Sequence, residues 1–294
     1  MSNINTFSEL YSVCENSNKK IYEAAIEYEV LLGEYAKEQI LSQAKKSLAA
    51  MKTAIKEGLV SSELSPSSMS GDDCEKLQKR FKKETSLLGN YAQKVMLYAL
   101  ATVEQNIRMG TIVACPTAGS CGIVPSVLIA YAQDYKISEE EQINALITAG
   151  EVGRLVSNKL ALAGAVGGCQ AECGVASAMA AAALTQMRGG NIKQILNSVA
   201  LALKNILGLT CDPVCGLVEV PCVKRNPFLA ISAISASELA MADIVSKIPV
   251  DEVVDAMEQT GKLMSPLLKE SSQGGLAKTK TAIELEKRIL NNIK

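Results

Sequence analysis

Cysteine is the residue type in this sequence with the clearest capacity for chemistry. The chain has nine Cys and no His, and five of the Cys lie in two segments, 167–173 (GGCQAEC) and 208–226 (GLTCDPVCGLVEVPCVKRN). Thiolates bind zinc, iron and iron–sulfur clusters, although a buried free Cys is also common as simple packing. Five Cys so close together, each beside Gly, Pro or a polar residue, favour a metal or cluster site over packing alone.

The absence of His narrows the chemistry further. It excludes from this chain a Ser–His–Asp triad, a Cys–His pair, an HExxH zinc site and a Cys₂His₂ finger. Sulfur-only ligation favours an iron–sulfur cluster or a four-Cys zinc site, but the spacings match neither zinc CxxC pairs nor ferredoxin or radical-enzyme runs. A cluster held by widely spaced Cys, with one iron open to substrate as a Lewis acid, stays compatible with them.

A second candidate segment is 115–125 (CPTAGSCGIVP). Thr117, Gly119 and Ser120 fall in a short turn, and Gly122 precedes a predicted helix start. Backbone N–H groups at a helix start suit a carboxylate or phosphate. An ordinary loop with a helix cap explains the same pattern, so the segment by itself leaves both interpretations open.

Apolar spacing predicts a mainly α fold that positions these segments, and strand signals are weak. We expect a single domain over 1–294, with a charged helical part at 1–109, a Ser/Pro/Gly-rich linker at 61–73 and an Ala/Gly/Cys-rich core at 110–294. The Ala-rich run 176–184 predicts close helix packing. Helices are predicted over 31–59, 90–109, 139–159, 192–207, 228–244, 250–263 and 281–292.

Composition disfavours several classes of protein. The net charge is −1, and there is no Trp and only three Phe. A nucleic-acid partner is therefore not expected. No segment has the roughly 20 predominantly apolar residues of a membrane span, so we expect no membrane association. The N-terminal sequence does not resemble a signal peptide, and the Cys usage favours a cytoplasmic location.

Three segments of the sequence resemble a known family: PTAGSCGIVPSVL, CQAECGVASAMAAAAL and GLTCDPVCGLVEVPCVKRNP. They are similar to the α subunit of iron–sulfur-dependent L-serine dehydratase (L-serine ammonia-lyase), and the resemblance covers nearly the whole chain. KESSQGGLA near the C-terminus is similar to the family's KETSxGGLA. The resemblance implies a compact multi-helix catalytic domain whose Gly/Pro-rich loops carry an oxygen-sensitive 4Fe–4S cluster, with no pyridoxal phosphate.

The resemblance also implies the cluster ligands. They are Cys169 from CQAE, Cys211 from GLTCDP and Cys222 from VPC, whereas Cys173 and Cys215 are expected to pack beside them. Some single-chain relatives cap the fourth iron with a C-terminal Cys. This sequence ends ILNNIK, so we expect solvent or a group from elsewhere at that iron.

A partner subunit follows from the resemblance as well. Single-chain relatives carry an additional N-terminal domain, which the two-chain type supplies as a separate L-serine dehydratase β subunit. We therefore expect a heterodimer with that β subunit, which would also supply any catalytic His. The implied role is deamination of L-serine to pyruvate and ammonia, in amino-acid catabolism and gluconeogenesis.

Serine dehydration removes an α-proton and a β-hydroxyl group, so a base is needed beside the open iron. The candidates are Lys269, Lys224, Ser120 and Glu172, of which we favour Ser120 and Lys269 as catalytic residues. A Lys base needs a pKa lowered by burial or by a positive neighbour. Thr117, Gly119 and Ser120 are the expected binding groups for the serine carboxylate or amine.

Two alternative functions remain open from the sequence. One is a cysteine desulfidase-type lyase on the same scaffold, with sulfide as the leaving group. The other is a non-catalytic cluster-binding or redox subunit. A pyridoxal phosphate dehydratase is disfavoured, because no Gly-rich phosphate cup with an α/β pattern is present.

Overall fold

The computed structural model describes residues 4–33, 35–84 and 86–293. Within these ranges the chain forms thirteen α-helices and no β-strand, which confirms the predicted mainly α fold. The helices are α1 (Phe7–Ser17), α2 (Ile21–Leu32), α3 (Lys37–Gly58), α4 (Asp73–Lys83), α5 (Gly89–Ile107), α6 (Ile123–Tyr135), α7 (Glu139–Ser157), α8 (Gly164–Gly167), α9 (Val175–Met187), α10 (Ile192–Lys204), α11 (Cys222–Met241), α12 (Val250–Leu263) and α13 (Lys280–Ile293).

Two predicted helix boundaries are wrong. The helix expected from residue 31 is interrupted, because Gly33 adopts a left-handed conformation (φ 79°) that ends α2, and α3 begins only at Lys37. The helix expected from residue 228 begins earlier, at Cys222. Pro227 is the sixth residue of α11 and lies inside the helix, where it has no N–H group to donate to the carbonyl four residues earlier.

Helix α9 lies at the centre of the molecule. It packs against α6, α7, α10 and α11, and every residue from Val175 to Thr185 is buried. Its Ala side chains allow the surrounding helices to approach closely, which confirms the packing predicted for residues 176–184. Two neighbouring helices begin at capping boxes, α7 at Ser138 and α10 at Asn191, and such caps satisfy backbone donors at helix N-termini.

Four segments outside the α-helices, with only short 3₁₀ or π turns, meet at one side of this core. They are residues 108–122 before α6, 168–174 before α9, 205–221 before α11 and 264–279 before α13. The predicted linker packs beside them, since Ser65 and Ser67 donate hydrogen bonds to the Glu219 carboxylate (2.6 and 2.8 Å). Among the described helices, none combines the length and apolar character needed to cross a bilayer.

Candidate metal centre

Cys169 and Cys173 lie at the entrance to the central helix. Cys169 directly precedes a π turn, Gln170–Gly174, that leads into α9. Such wide turns are frequent at functional sites because they redirect side chains. The two sulfur atoms and a carboxylate oxygen of Glu172 lie within 4.8 Å of one another, and both thiols are buried. Cys173 therefore lies beside Cys169, as expected.

Cys211 is held by the segment that contains the family-like KESSQGGLA sequence. Its N–H donates to the Leu268 carbonyl (2.8 Å), and its own carbonyl accepts from the Glu270 N–H. This pairing aligns Lys269 with Cys211 as an isolated parallel bridge. A segment almost sixty residues further along the chain thus covers Cys211, and the half-buried Lys269 lies next to it in register.

Cys222 is the first residue of α11, and the helix connects it to the 117–120 turn. Asn226, one turn further on, donates to the carbonyls of Cys222 (3.0 Å) and Gly119 (2.8 Å). Its side-chain oxygen accepts from the Gly122 N–H (2.9 Å). The predicted start of α6 is confirmed, but because Asn226 occupies this N–H group, it is not free to bind an anion.

The Cys169 and Cys211 segments and the 117–120 turn meet at the Glu172 carboxyl group. A Cβ atom on Gly164 would lie 2.8 Å from Cys211 Sγ and 3.0 Å from Glu172 Oε2. A Cβ atom on Gly119 would lie 2.5 Å from Glu172 Oε1. The two glycines therefore let the backbone approach the carboxyl group from both sides, which larger residues would prevent.

The hydroxyl groups of the 117–120 turn have different partners. Thr117 Oγ1 donates to Glu172 Oε1, so it faces the carboxyl group and the cysteines. Ser120 is fully buried, and its Oγ donates to the Cys115 carbonyl (3.3 Å) and lies 3.1 Å from Thr117 Oγ1. Ser120 thus stabilises the turn, whereas Thr117 and Gly119 are the turn residues that lie against the Glu172 carboxyl group.

The thiols differ in acidity. The neighbouring Cys173 thiol lowers the pKa of Cys169, with the nearby Arg225 guanidinium acting in the same direction and burial opposing it. Burial raises the pKa of Cys222 to about 12 and also raises the pKa of Cys211. Because a metal ligand must be a thiolate, Cys169 is the thiol that the protein prepares best for binding.

Glu172 also has a shifted pKa. Burial raises the pKa of its carboxyl group, the hydrogen bond from Thr117 opposes the shift, and the charge of Glu270 adds to it. This residue was one of four base candidates in the sequence, and its place in the CQAEC motif was the signal for it.

Lys224, another candidate, instead pairs with Asp73 on α4 (2.6 Å) and is exposed.

The donor set fits an iron–sulfur cluster. Cys169, Cys211 and Cys222 are all buried and come from three segments. Cys169 and Cys211 lie beside Glu172, and Cys222 begins the helix whose Asn226 holds the 117–120 turn. Thiolates are the ligands that such clusters require. Cys215 lies apart from this group: it is partly exposed, adopts a left-handed backbone (φ 58°) and lines a cleft beside α13.

Fold and site together define an all-α protein with a thiol-rich centre. The chain belongs to the serine dehydratase alpha chain family, whose model matches residues 16–277. It is 45% identical over 281 residues to a probable L-serine dehydratase, alpha chain, of Bacillus subtilis, covering 96% of this chain and 93% of that protein. It is 37% identical to the L-serine dehydratase, alpha chain, of Peptoniphilus asaccharolyticus, covering 98% of each.

A longer relative matches over part of its length. The L-serine dehydratase of Helicobacter pylori strain 26695 is 46% identical over 189 residues, which are 63% of this chain and 41% of that protein. The family resemblance of the sequence motifs is thereby confirmed.

Proposed function

We propose that this chain is the α subunit of a cytoplasmic, two-chain L-serine dehydratase that converts L-serine to pyruvate and ammonia. Membership of the serine dehydratase alpha chain family supports the reaction, and the two relatives matched over nearly their whole length are both named as alpha chains. The observation that carries the proposal is that Cys169, Cys211 and Thr117 meet at the Glu172 carboxyl group, while the helix that begins at the buried Cys222 holds the 117–120 turn through Asn226.

The cysteines hold the cofactor in this proposal. Cys169, Cys211 and Cys222 would bind a 4Fe–4S cluster, which when bound supplies a Lewis-acid iron for the serine hydroxyl and carboxylate. Thr117, Gly119 and Ser120 form the substrate turn. Thr117 provides a hydroxyl group for the substrate, and Gly119 leaves space beside Glu172. Ser120 stabilises the turn through its hydrogen bond to the Cys115 carbonyl.

The proton acceptor is either Glu172 or Lys269, and the contacts favour Glu172. Its carboxyl group already touches the substrate turn, and a pKa raised by burial makes its ionised form a stronger base than an exposed carboxylate. Lys269 is aligned with Cys211 through the backbone and is the second candidate. Loss of the α-proton and hydroxyl yields aminoacrylate, which leaves and hydrolyses to pyruvate and ammonia.

The β subunit is the proposed partner. This chain has no His, so an imidazole group needed for proton transfer or substrate binding would come from that second chain. The turn and the Glu172 carboxyl group then form the α-subunit side of a shared site.

The first experiment is anaerobic. The chain is reconstituted with iron and sulfide, and iron content, visible absorbance and pyruvate formation from L-serine are measured with and without a β subunit. We expect about four irons per chain and β-dependent pyruvate. Cys169→Ser, Cys211→Ser and Cys222→Ser should each lose iron, whereas Cys14→Ser, a buried thiol outside the site, should retain it.

Other outcomes separate the alternatives. Faster pyruvate release from L-cysteine than from L-serine would support the desulfidase. A stable cluster without turnover of either amino acid, with β present, would support a binding or redox subunit. Full iron content in all three Cys variants would exclude the ligand assignment. Glu172→Gln and Lys269→Met separate the two base candidates. The variant that lacks the base should lose the acidic limb of the pH profile of kcat/KM, and the other variant should keep it.

A further inference from the structure

Arg225 is a guanidinium group beside the candidate ligands that the chemistry above does not use. It lies one turn after Cys222 in α11, and its side chain is 16% exposed. Nη1 donates to the Thr210 carbonyl (2.8 Å), and Nη2 donates to Asp212 Oδ1 (3.1 Å). The same group lies beside the Cys169 sulfur.

These contacts connect the Cys211 segment to the helix that begins at Cys222. Thr210 and Asp212 flank Cys211, and Arg225 itself is in the first turn of that helix. A planar guanidinium group with five N–H donors can serve several acceptors in fixed directions, which a Lys ammonium cannot do in the same way.

Asp212 extends the connection to the segment that covers Cys211. Its second oxygen, Oδ2, accepts from the Leu276 N–H (2.8 Å), and the Asp212 side chain is only 6% exposed. A buried carboxylate needs a partner charge and hydrogen bonds, both of which Arg225 and Leu276 provide. Without Arg225, Asp212 would be left without its positive partner next to Cys211.

Charge gives Arg225 a second effect on the site. Glu172 places a carboxyl group within 4.8 Å of the Cys169 and Cys173 sulfur atoms, which concentrates negative charge in the site. Arg225 brings a positive charge to the start of α11, three residues after Cys222, and to the residues on both sides of Cys211. A group of thiolates in a partly buried site is more stable with such a cation beside it.

We propose that Arg225 is a positioning residue for the cluster, which fixes the Cys211 segment against the helix that begins at Cys222 and brings a positive charge to the thiolates of the site. This inference rests on the proposed function. It predicts slower loss of iron from the wild-type protein and a higher reduction potential of its cluster than in variants without the guanidinium group, since nearby charge and hydrogen bonds tune both properties.

The test compares Arg225→Gln and Arg225→Lys with the wild-type chain, all reconstituted anaerobically. Arg188→Gln is the matched control, because Arg188 is similarly buried (21% exposed) and pairs with Glu238 away from the cysteines. Iron per chain, the rate of iron removal by a chelator and the midpoint potential from an EPR-monitored titration are measured. Circular dichroism of each apo-protein reports folding.

We expect roughly 10-fold or faster iron loss and a lower midpoint potential in Arg225→Gln, partial rescue in Arg225→Lys, and wild-type behaviour in Arg188→Gln. Wild-type iron retention and potential in Arg225→Gln would overturn the inference while leaving the proposed function intact. Absence of iron from the wild-type chain would instead overturn both.

If Arg225→Gln misfolds, two milder variants, Arg225→Lys and Asp212→Asn, are measured in its place. The second keeps an acceptor for Leu276 but removes the charge that Arg225 pairs with. Faster iron loss in both supports the inference, and unchanged release rates and potentials in both contradict it.

Discussion

At the scale of single residues, the site depends on space as much as on functional groups. Glu172 reaches the substrate turn because Gly119 has no side chain, and it approaches Cys211 because Gly164 has none. In sequence, a glycine in a turn usually indicates backbone freedom. Neither of these two has a positive φ in the structure, so their role is to allow close approach instead.

We expect Gly119→Ala to lower kcat/KM for L-serine by about 10- to 100-fold, because a Cβ 2.5 Å from Glu172 Oε1 must displace the carboxyl group. Iron content should stay unchanged, since the atoms nearest the new Cβ belong to the side chains of Glu172 and Val218 and to no cysteine. Gly150→Ala is the control: this glycine lies within α7 with no atom near its Cβ position.

The control should raise the free energy of unfolding by about 0.4–1 kcal/mol, through the reduced entropy of the unfolded chain, and leave catalysis unaltered. Steady-state kinetics and chemical denaturation measure the two effects. Wild-type kinetics in Gly119→Ala would show that the carboxyl group does not need its present position.

At the scale of helices, α11 is the element that organises the site. Its first residue is Cys222, its first turns carry Arg225 and Asn226, and its body packs against α5, α9 and α10. One rigid helix therefore connects a candidate ligand, the substrate turn and the core. The earlier start at Cys222 matters, because a helix from residue 228 would leave these side chains in a loop.

We expect Asn226→Ala to lower the free energy of unfolding by about 1–3 kcal/mol, since it leaves the buried Gly122 N–H and Gly119 carbonyl unpaired. It should also raise KM for L-serine by loosening the substrate turn. Asn197→Ala is the matched control, because its amide bridges Ile244 and Ser246 far from the cysteines.

Asn197→Ala should reduce stability and leave KM unchanged. Urea unfolding and serine saturation curves give both quantities for each variant. An equal KM in the two variants would argue against a role for Asn226 in holding the substrate turn.

At the scale of the whole molecule, the core is closely packed around the small residues of α9. Ala side chains fill this central helix, and they bury completely against four neighbouring helices. Native interiors are close-packed, so added volume has no free space to occupy. The same packing directs the π turn and Cys169 at the N-terminal end of α9 towards the site.

We expect Ala181→Leu to lower the free energy of unfolding by about 1–3 kcal/mol through overpacking, since Ala181 is fully buried. Ala49→Leu, on the exposed side of α3, should change it by about 0.5 kcal/mol or less. Denaturation midpoints of the two apo-proteins provide the comparison. Equal stabilities would mean that the α9 interface can adapt to the larger side chain.

The sequence by itself determined the class of fold and the candidate groups. Apolar spacing, Ala-rich composition and capping residues are local properties, so most helices and the packing around residues 176–184 were predictable. Motif similarity identified the family and singled out Cys169, Cys211 and Cys222. The same apolar spacing wrongly predicted a continuous helix through Gly33, because it contains no information about a left-handed backbone at one residue.

Only the tertiary structure decided which groups meet. Thr117 and Glu172 are fifty-five positions apart, and Asn226 and Gly119, which share a hydrogen bond, are 107 positions apart. No spacing rule predicts such pairs, since they arise from how α9 and α11 pack and where their first turns end. Helix periodicity describes one element, whereas the site exists where the loops before α6, α9 and α11 meet at the Glu172 carboxyl group and the loop before α13 covers Cys211.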